Sequence, residues 1–148
     1  MLGAEMTAVP TDSLMHMVLA GHAHQRALSD PDMFADAVQA LMASVNDNGA
    51  PCLVPADVDA AALIGGAIVA GGGTVRQARP DGEGHLPNKV MVVGATTVSG
   101  KLVRDQVVAS RALGCDWVGA WMWRAPASLT AEVLSADQVV FNGPLTHQ

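Results

Sequence analysis

The stretch Val90-Met-Val-Val-Gly-Ala-Thr-Thr-Val-Ser-Gly-Lys101 decides the fold. Val90 to Val93 are apolar without alternation, the pattern of a strand buried on both faces, as in a parallel sheet. Residues 94–100 form a loop of small residues, and Lys101 to Leu113 reads as a helix capped by Gly114. Strand, loop and helix in that order make the repeating unit of an open α/β sheet, whose ligands sit at the carboxyl ends of its strands.

The same alternation extends outward. Trp117 to Trp123 reads as the next strand and Val139-Val140-Phe141 as the last. Upstream, Cys52-Leu53-Val54 is a short buried strand, residues 55–59 a loop, Ala60 to Ala70 an apolar helix stopped by Gly71-Gly72-Gly73, and Thr74-Val75-Arg76 an edge strand. A helix begins at Ser29 or Asp30 with Pro31 in its first turn, and Met33, Phe34, Ala37, Val38, Leu41, Met42 and Val45 stripe one face. A shorter helix covers Ser13 to about Leu28, after a loose start at 1–10. The fold class expected is α/β: a mainly parallel sheet flanked by helices. The expected organisation is an N-terminal segment, 1–28, followed by one domain over 29–148.

Composition bounds the function. A chain of 148 residues, half of them apolar and 15% charged, buries a sizeable core and excludes disorder. No apolar run approaches the roughly 20 residues that span a bilayer, and no Lys or Arg marks a secretory leader. Two cysteines far apart, Cys52 and Cys115, suit reduced thiols, so the expected compartment is the cytoplasm, with no membrane partner. The net charge of −6 argues against nucleic acid. Charge is unevenly spread: residues 1–75 sum to −7, whereas 76–124 sum to +3 through Arg76, Arg79, Lys89, Lys101, Arg104, Arg111 and Arg124. A basic middle attracts a small anion; the plainer account is a solvated charged face.

The loop supplies chemistry for such an anion. Backbone N–H groups at a helix start are unpaired and carry the positive end of the helix dipole. Gly100 permits close backbone approach, Thr97 and Ser99 offer hydroxyls, and Lys101 adds charge. Ala95 to Lys101 comes near a Walker A loop, but its first glycine is Ala95 and its magnesium-binding hydroxyl is Leu102, which disfavours a nucleoside triphosphatase. No GxGxxG pattern is present to hold a dinucleotide.

Residues 89–120 resemble the signature of the type I phosphoribosyltransferases: a hydrophobic strand, two acids, two variable residues and a Thr-Thr-Gly-(Gly/Lys)-Thr loop leading into a helix. Val90–Val93 match the strand, Val98-Ser99-Gly100-Lys101 the loop, and Leu102–Leu113, Gly114-Cys115 and Val118-Gly119-Ala120 the helix, turn and next strand. A weaker likeness extends over about 31–142, with 55–59 at the family's pyrophosphate loop and 77–88 at its catalytic hood. The acidic pair that holds the ribose hydroxyls in that family is Gly94-Ala95 here, and the family threonines become Val98 and Leu102, leaving Ser99.

The resemblance implies a degenerate member of nucleotide metabolism that binds a phosphorylated ribose or nucleotide without efficient transfer. Thr96, Thr97, Val98, Ser99, Gly100 and Lys101 are its phosphate contacts, and Arg76 or Arg79 its pyrophosphate contacts. Magnesium is implied only if phosphoribosyl pyrophosphate binds. The runner-up is an active phosphoribosyltransferase, a glycosyltransferase making a nucleotide from phosphoribosyl pyrophosphate and a nucleobase, with magnesium and substrate recruited by other groups such as Asp57 and Asp59. A third expectation is a structural or interaction protein on the same fold.

The remaining candidates read more plainly. His22 and His24, with His16 nearby, lack ligand spacing, so no metal is expected. Cys52 and Cys115 read as small buried hydrophobes. Trp117, Trp121 and Trp123 alternate and so share one face, for a core or for the subunit interface of a homodimer.

Overall fold

The computed structural model describes residues 11–82 and 86–145. The loose start expected at 1–10 and part of the 77–88 segment lie outside them. The strands are β1 (Cys52–Pro55), β2 (Arg76–Gln77), β3 (Lys89–Thr96), β4 (Trp117–Ala125) and β5 (Gln138–Pro144). The helices are α1 (Thr11–Ala27), α2 (Pro31–Asn48), α3 (Val58–Gly71), α4 (Lys101–Ala112) and α5 (Ala131–Leu134). All strand pairs are parallel, in the order β2-β1-β3-β4-β5. The fold is therefore α/β, with a parallel sheet flanked by helices.

β3 is the central strand. It pairs with β1 through Leu53↔Met91 to Pro55↔Val93, and with β4 from Lys89↔Trp117 to Thr96↔Arg124. Its side chains alternate between two cores. Met91, Val93 and Ala95 join Leu53, Trp121 and Trp123 beneath α2 and α3, while Val90 and Val92 join Val54, Val118 and Met122 beneath α4 and α5. The continuous apolar run at 90–93 is the trace of this two-sided burial.

Local signals set the helix ends. Asp30 caps α2, its carboxylate accepting from the Asp32 and Met33 amides at 2.8 and 3.2 Å, and Gly49 closes that helix at φ 62°. Asp57 caps α3 in the same way, so this helix starts two residues before the expected Ala60. α1 lies against the end of β3: a Cβ on Gly21 would stand 3.3 Å from Val98 Cγ2, so the glycine admits the close approach. Thus the 1–28 segment contributes a helix packed on the domain.

Two expectations change, and one helix is added. β3 runs through Gly94-Ala95-Thr96, assigned above to the loop, because Gly94↔Met122 and Thr96↔Arg124 continue the ladder with the long β4. β2 is two residues, shifted to Arg76–Gln77, and no helix is described between it and β3, so strict alternation breaks there. α5 was unsignalled: its four residues are too few to show a helical period.

Candidate functional site

In this strand order β2 and β3 lie on opposite sides of β1, the chain stepping out to β2 and then crossing back to β3, so the crevice between the carboxyl ends of β1 and β3 is the switch point. Asp57, at the exit of β1, sits in it. Its Oδ1 accepts from Ala60 N at 2.7 Å and its Oδ2 from Ala95 N at 3.3 Å, tying the start of α3 to the end of β3. Burial pushes the Asp57 carboxyl above the usual range, against the pull of those amides. Beside it a cleft of about 330 Å³ is lined by Pro55, Ala56, Asp57 and Val58, by Ala61 of α3, and by Arg79 and Gln106. A groove of the same volume runs past Pro80 and Asp81 along Gln106, Ala109, Ala112 and Leu113 of α4, so Gln106 borders both.

The 96–101 loop stands next to this crevice across the Asp57–Ala95 bond, and none of its residues lines the cleft. Its hydroxyls satisfy its own amides. Thr97 Oγ1 accepts from Gly100 N at 2.9 Å, and Ser99 Oγ from Lys101 N at 3.3 Å. The Thr97 amide donates to the Arg124 carbonyl at 3.1 Å. Thr96 Oγ1 is buried without a hydrogen-bond partner, and Val98 is half-buried against α1. Gly100 is buried at φ 74°, and a Cβ there would lie 3.0 Å from both Leu129 and Leu134. Its absent side chain thus lets α5 pack on the loop. Lys101 is exposed and its Nζ pairs with Asp105 at 2.8 Å.

α4 differs from α2, α3 and α5 at its start. Those begin on Asp30, Asp57 and Thr130 with Asp32, Asp59 and Glu132 in their first turns; α4 begins on Gly100 with no acid. Its positive end therefore meets no carboxylate from its own first turn. Of the two arginines, Arg79 reaches the cleft, whereas Arg76 is exposed on β2 and lines neither cavity.

The positions of the absent acidic pair are filled from outside. A Cβ on Gly94 would stand 2.8 Å from Val103 Cγ2, 3.4 Å from Met122 Cγ and 4.0 Å from Asp57 Oδ2. Ala95 is fully buried in the α2–α3 core. Neither position has room for a carboxylate facing a ligand.

The other candidates are structural. Among the described residues no group of three or more His, Cys, Asp or Glu could hold a metal ion. His22 is exposed; His24 meets the Trp123 ring edge-on, centroids 6.0 Å apart, and burial, then Arg124, lowers its pKa. Both thiols are buried, which raises their pKa, and Cys115 donates to the Pro87 carbonyl at 3.2 Å. Trp121 and Trp123 are each 1% exposed, so the shared tryptophan face is core and offers no assembly surface; Trp117 packs at its margin beneath Lys89.

Sequence reasoning named Asp57 only as a magnesium ligand, missing its tie to β3, and it missed Gln106 altogether. Asp57 carries a legible signal, an Asp before an apolar helix, but its second bond spans 38 positions. Gln106 carries none, since its place on the cleft depends on how α4 docks. Comparison with protein-family models, with curated proteins and with solved structures found no match.

Proposed function

We propose that this chain binds a phosphorylated small molecule, a phosphorylated ribose or a nucleotide, at the carboxyl end of the sheet without transferring the phosphoribosyl group. The observation that carries the reading is the switch-point cleft with Arg79 on its wall and the acid-free start of α4 beside it. Arg79 supplies charge from one side. Thr97, Ser99, Gly100 and Lys101 supply hydroxyls, amides and charge from the other, provided the anion displaces the loop's internal hydrogen bonds. Asp57, the carboxylate on the cleft, has both oxygens engaged by amides, which reduces its repulsion of an anion.

The absence of transfer follows from Gly94 and Ala95. Stabilising an oxocarbenium-like transition state needs preorganised charge beside the ribose, and those positions hold none. Asp57 is likewise a poor magnesium ligand, because binding would cost the cap of α3 and the tie to β3. On this reading magnesium enters only as the counter-ion of a bound diphosphate.

A thermal-shift series with ribose 5-phosphate, nucleoside monophosphates, phosphoribosyl pyrophosphate and inorganic phosphate, each with and without magnesium, tests it. Ligand at a hundred times its Kd adds about 2.7 kcal/mol, a shift of roughly 5–10 °C for a domain of this size. The shift is expected to shrink in Arg79→Ala and Lys101→Ala, and pyrophosphate is not released with any nucleobase. No shift with any of these ligands, or a shift indifferent to both substitutions, contradicts the proposal.

A further inference from the structure

The sheet ends on two unlike edges. A strand edge exposes unpaired N–H and C=O groups, which proteins blunt by shortness, charge or proline. β2 is blunted: it has two residues, both exposed, and one is Arg76. β5 has seven residues from Gln138 to Pro144 with no charge among them. Its carboxyl end is blunted by Pro144, which has no N–H to offer. Among the described residues, nothing of this kind protects Gln138 to Asn142. Val139, Val140 and Phe141 there are only half-buried, Val140 on the tryptophan core and the other two on the opposite core.

The ladder fixes which groups point outward. Asp137 N donates to Val118 O at 2.8 Å and Leu145 N to Ala125 O at 2.9 Å, so the odd-numbered residues direct their backbone groups toward β4. Alternation along the strand turns those of Gln138, Val140 and Asn142 away from the sheet. We propose that this edge pairs antiparallel with β5 of a second copy about a two-fold axis at Val140.

In that register Val140 faces Val140 of the partner subunit and Gln138 faces Asn142 of the partner subunit, each pair exchanging both N–H···O bonds. Two observations favour an identical chain as occupant. The outward groups are symmetric about Val140, as an isologous contact requires. The exposed side chains that meet, Gln138 and Asn142, are uncharged amides able to bond one another.

Sedimentation and light scattering over a concentration series decide it. The full chain is expected at twice its 15.2 kDa mass. Asn142→Pro removes one outward N–H from each strand and no ladder bond to β4, so a folded monomer is expected. The double variant Gln138→Lys/Asn142→Lys sets like charges in the facing pairs and yields monomer, while Gln138→Lys/Asn142→Glu sets opposite charges and restores the dimer. The charge pair decides the matter if the proline variant does not fold. A monomeric wild type overturns the proposal, as does a folded Asn142→Pro dimer or a restoring variant that stays monomeric.

Discussion

Placing even one methyl group on Gly94 should destabilise this protein. The added Cβ would meet Val103 Cγ2 at 2.8 Å and Met122 Cγ at 3.4 Å, and those side chains are 1% and 0% exposed. Overpacking of this kind costs about 1–3 kcal/mol, offset by roughly 0.5–1 kcal/mol for replacing a glycine inside a strand. A net loss of about 1–2 kcal/mol is expected for Gly94→Ala. Gly94→Asp adds a buried carboxylate on a Cβ that would itself stand 4.0 Å from Asp57 Oδ2. An unpaired buried charge costs several kcal/mol more, which approaches the roughly 5–15 kcal/mol that holds a domain together. Restoring the missing acid should therefore unfold the protein before it confers any transfer activity.

Urea unfolding followed by the fluorescence of the buried tryptophans reads this directly. Val103→Ala separates the steric part: alone it costs about 1–3 kcal/mol through lost packing. In the double variant it clears the methyl that Gly94→Ala strikes, so the pair should be about 1 kcal/mol less damaging than the two losses added. A neutral Gly94→Ala, or a cycle that is simply additive, would refute the reasoning that this position is closed.

Asp57→Ala removes a helix cap and leaves the Ala95 amide buried without an acceptor. The expected loss is about 2–4 kcal/mol from those two contributions, measured by urea unfolding, whereas a magnesium ligand with no structural role would lose almost nothing. The lowered pKa of His24 means that the folded state resists its protonation, so stability should fall as pH drops below the ordinary histidine value near 6.5; the slope should flatten in His24→Phe. Asp105→Asn frees Lys101 from its ion pair and should tighten phosphate binding about two- to threefold in a calorimetric titration, since exposed pairs of this kind are worth well under 1 kcal/mol.

Much of the fold was legible because it rests on local patterns. The uninterrupted Val90–Val93 reported a strand covered on both faces, the Ser29-Asp30-Pro31 start reported α2, and alternation put the three tryptophans on one side. The site was less legible. Gly94 and Ala95 read as loop residues because small side chains resemble flexibility, whereas here they are small so that Val103 and the α2–α3 core can close over them. Arg76 and Arg79 looked equivalent in sequence, and only the shortness of β2 and the path after it bring one to the cleft and leave the other in solvent. Lys101 showed its charge but not its partner, although Asp105 four residues on is the helical spacing that pairs them. The tie from Asp57 to Ala95 could not be read at all, since it depends on two strands being neighbours.

The central claim, that an anion binds between Arg79 and the start of α4, is tested most directly by amide NMR. In a titration of the 15N-labelled chain with ribose 5-phosphate, shifts should concentrate at Thr97 to Val103, at Asp57–Val58 and at Arg79. The Gly100 and Lys101 amides should move most, as their bonds to Thr97 and Ser99 are exchanged for the phosphate. Saturating shifts confined to other faces, or none up to millimolar ligand, would contradict the account.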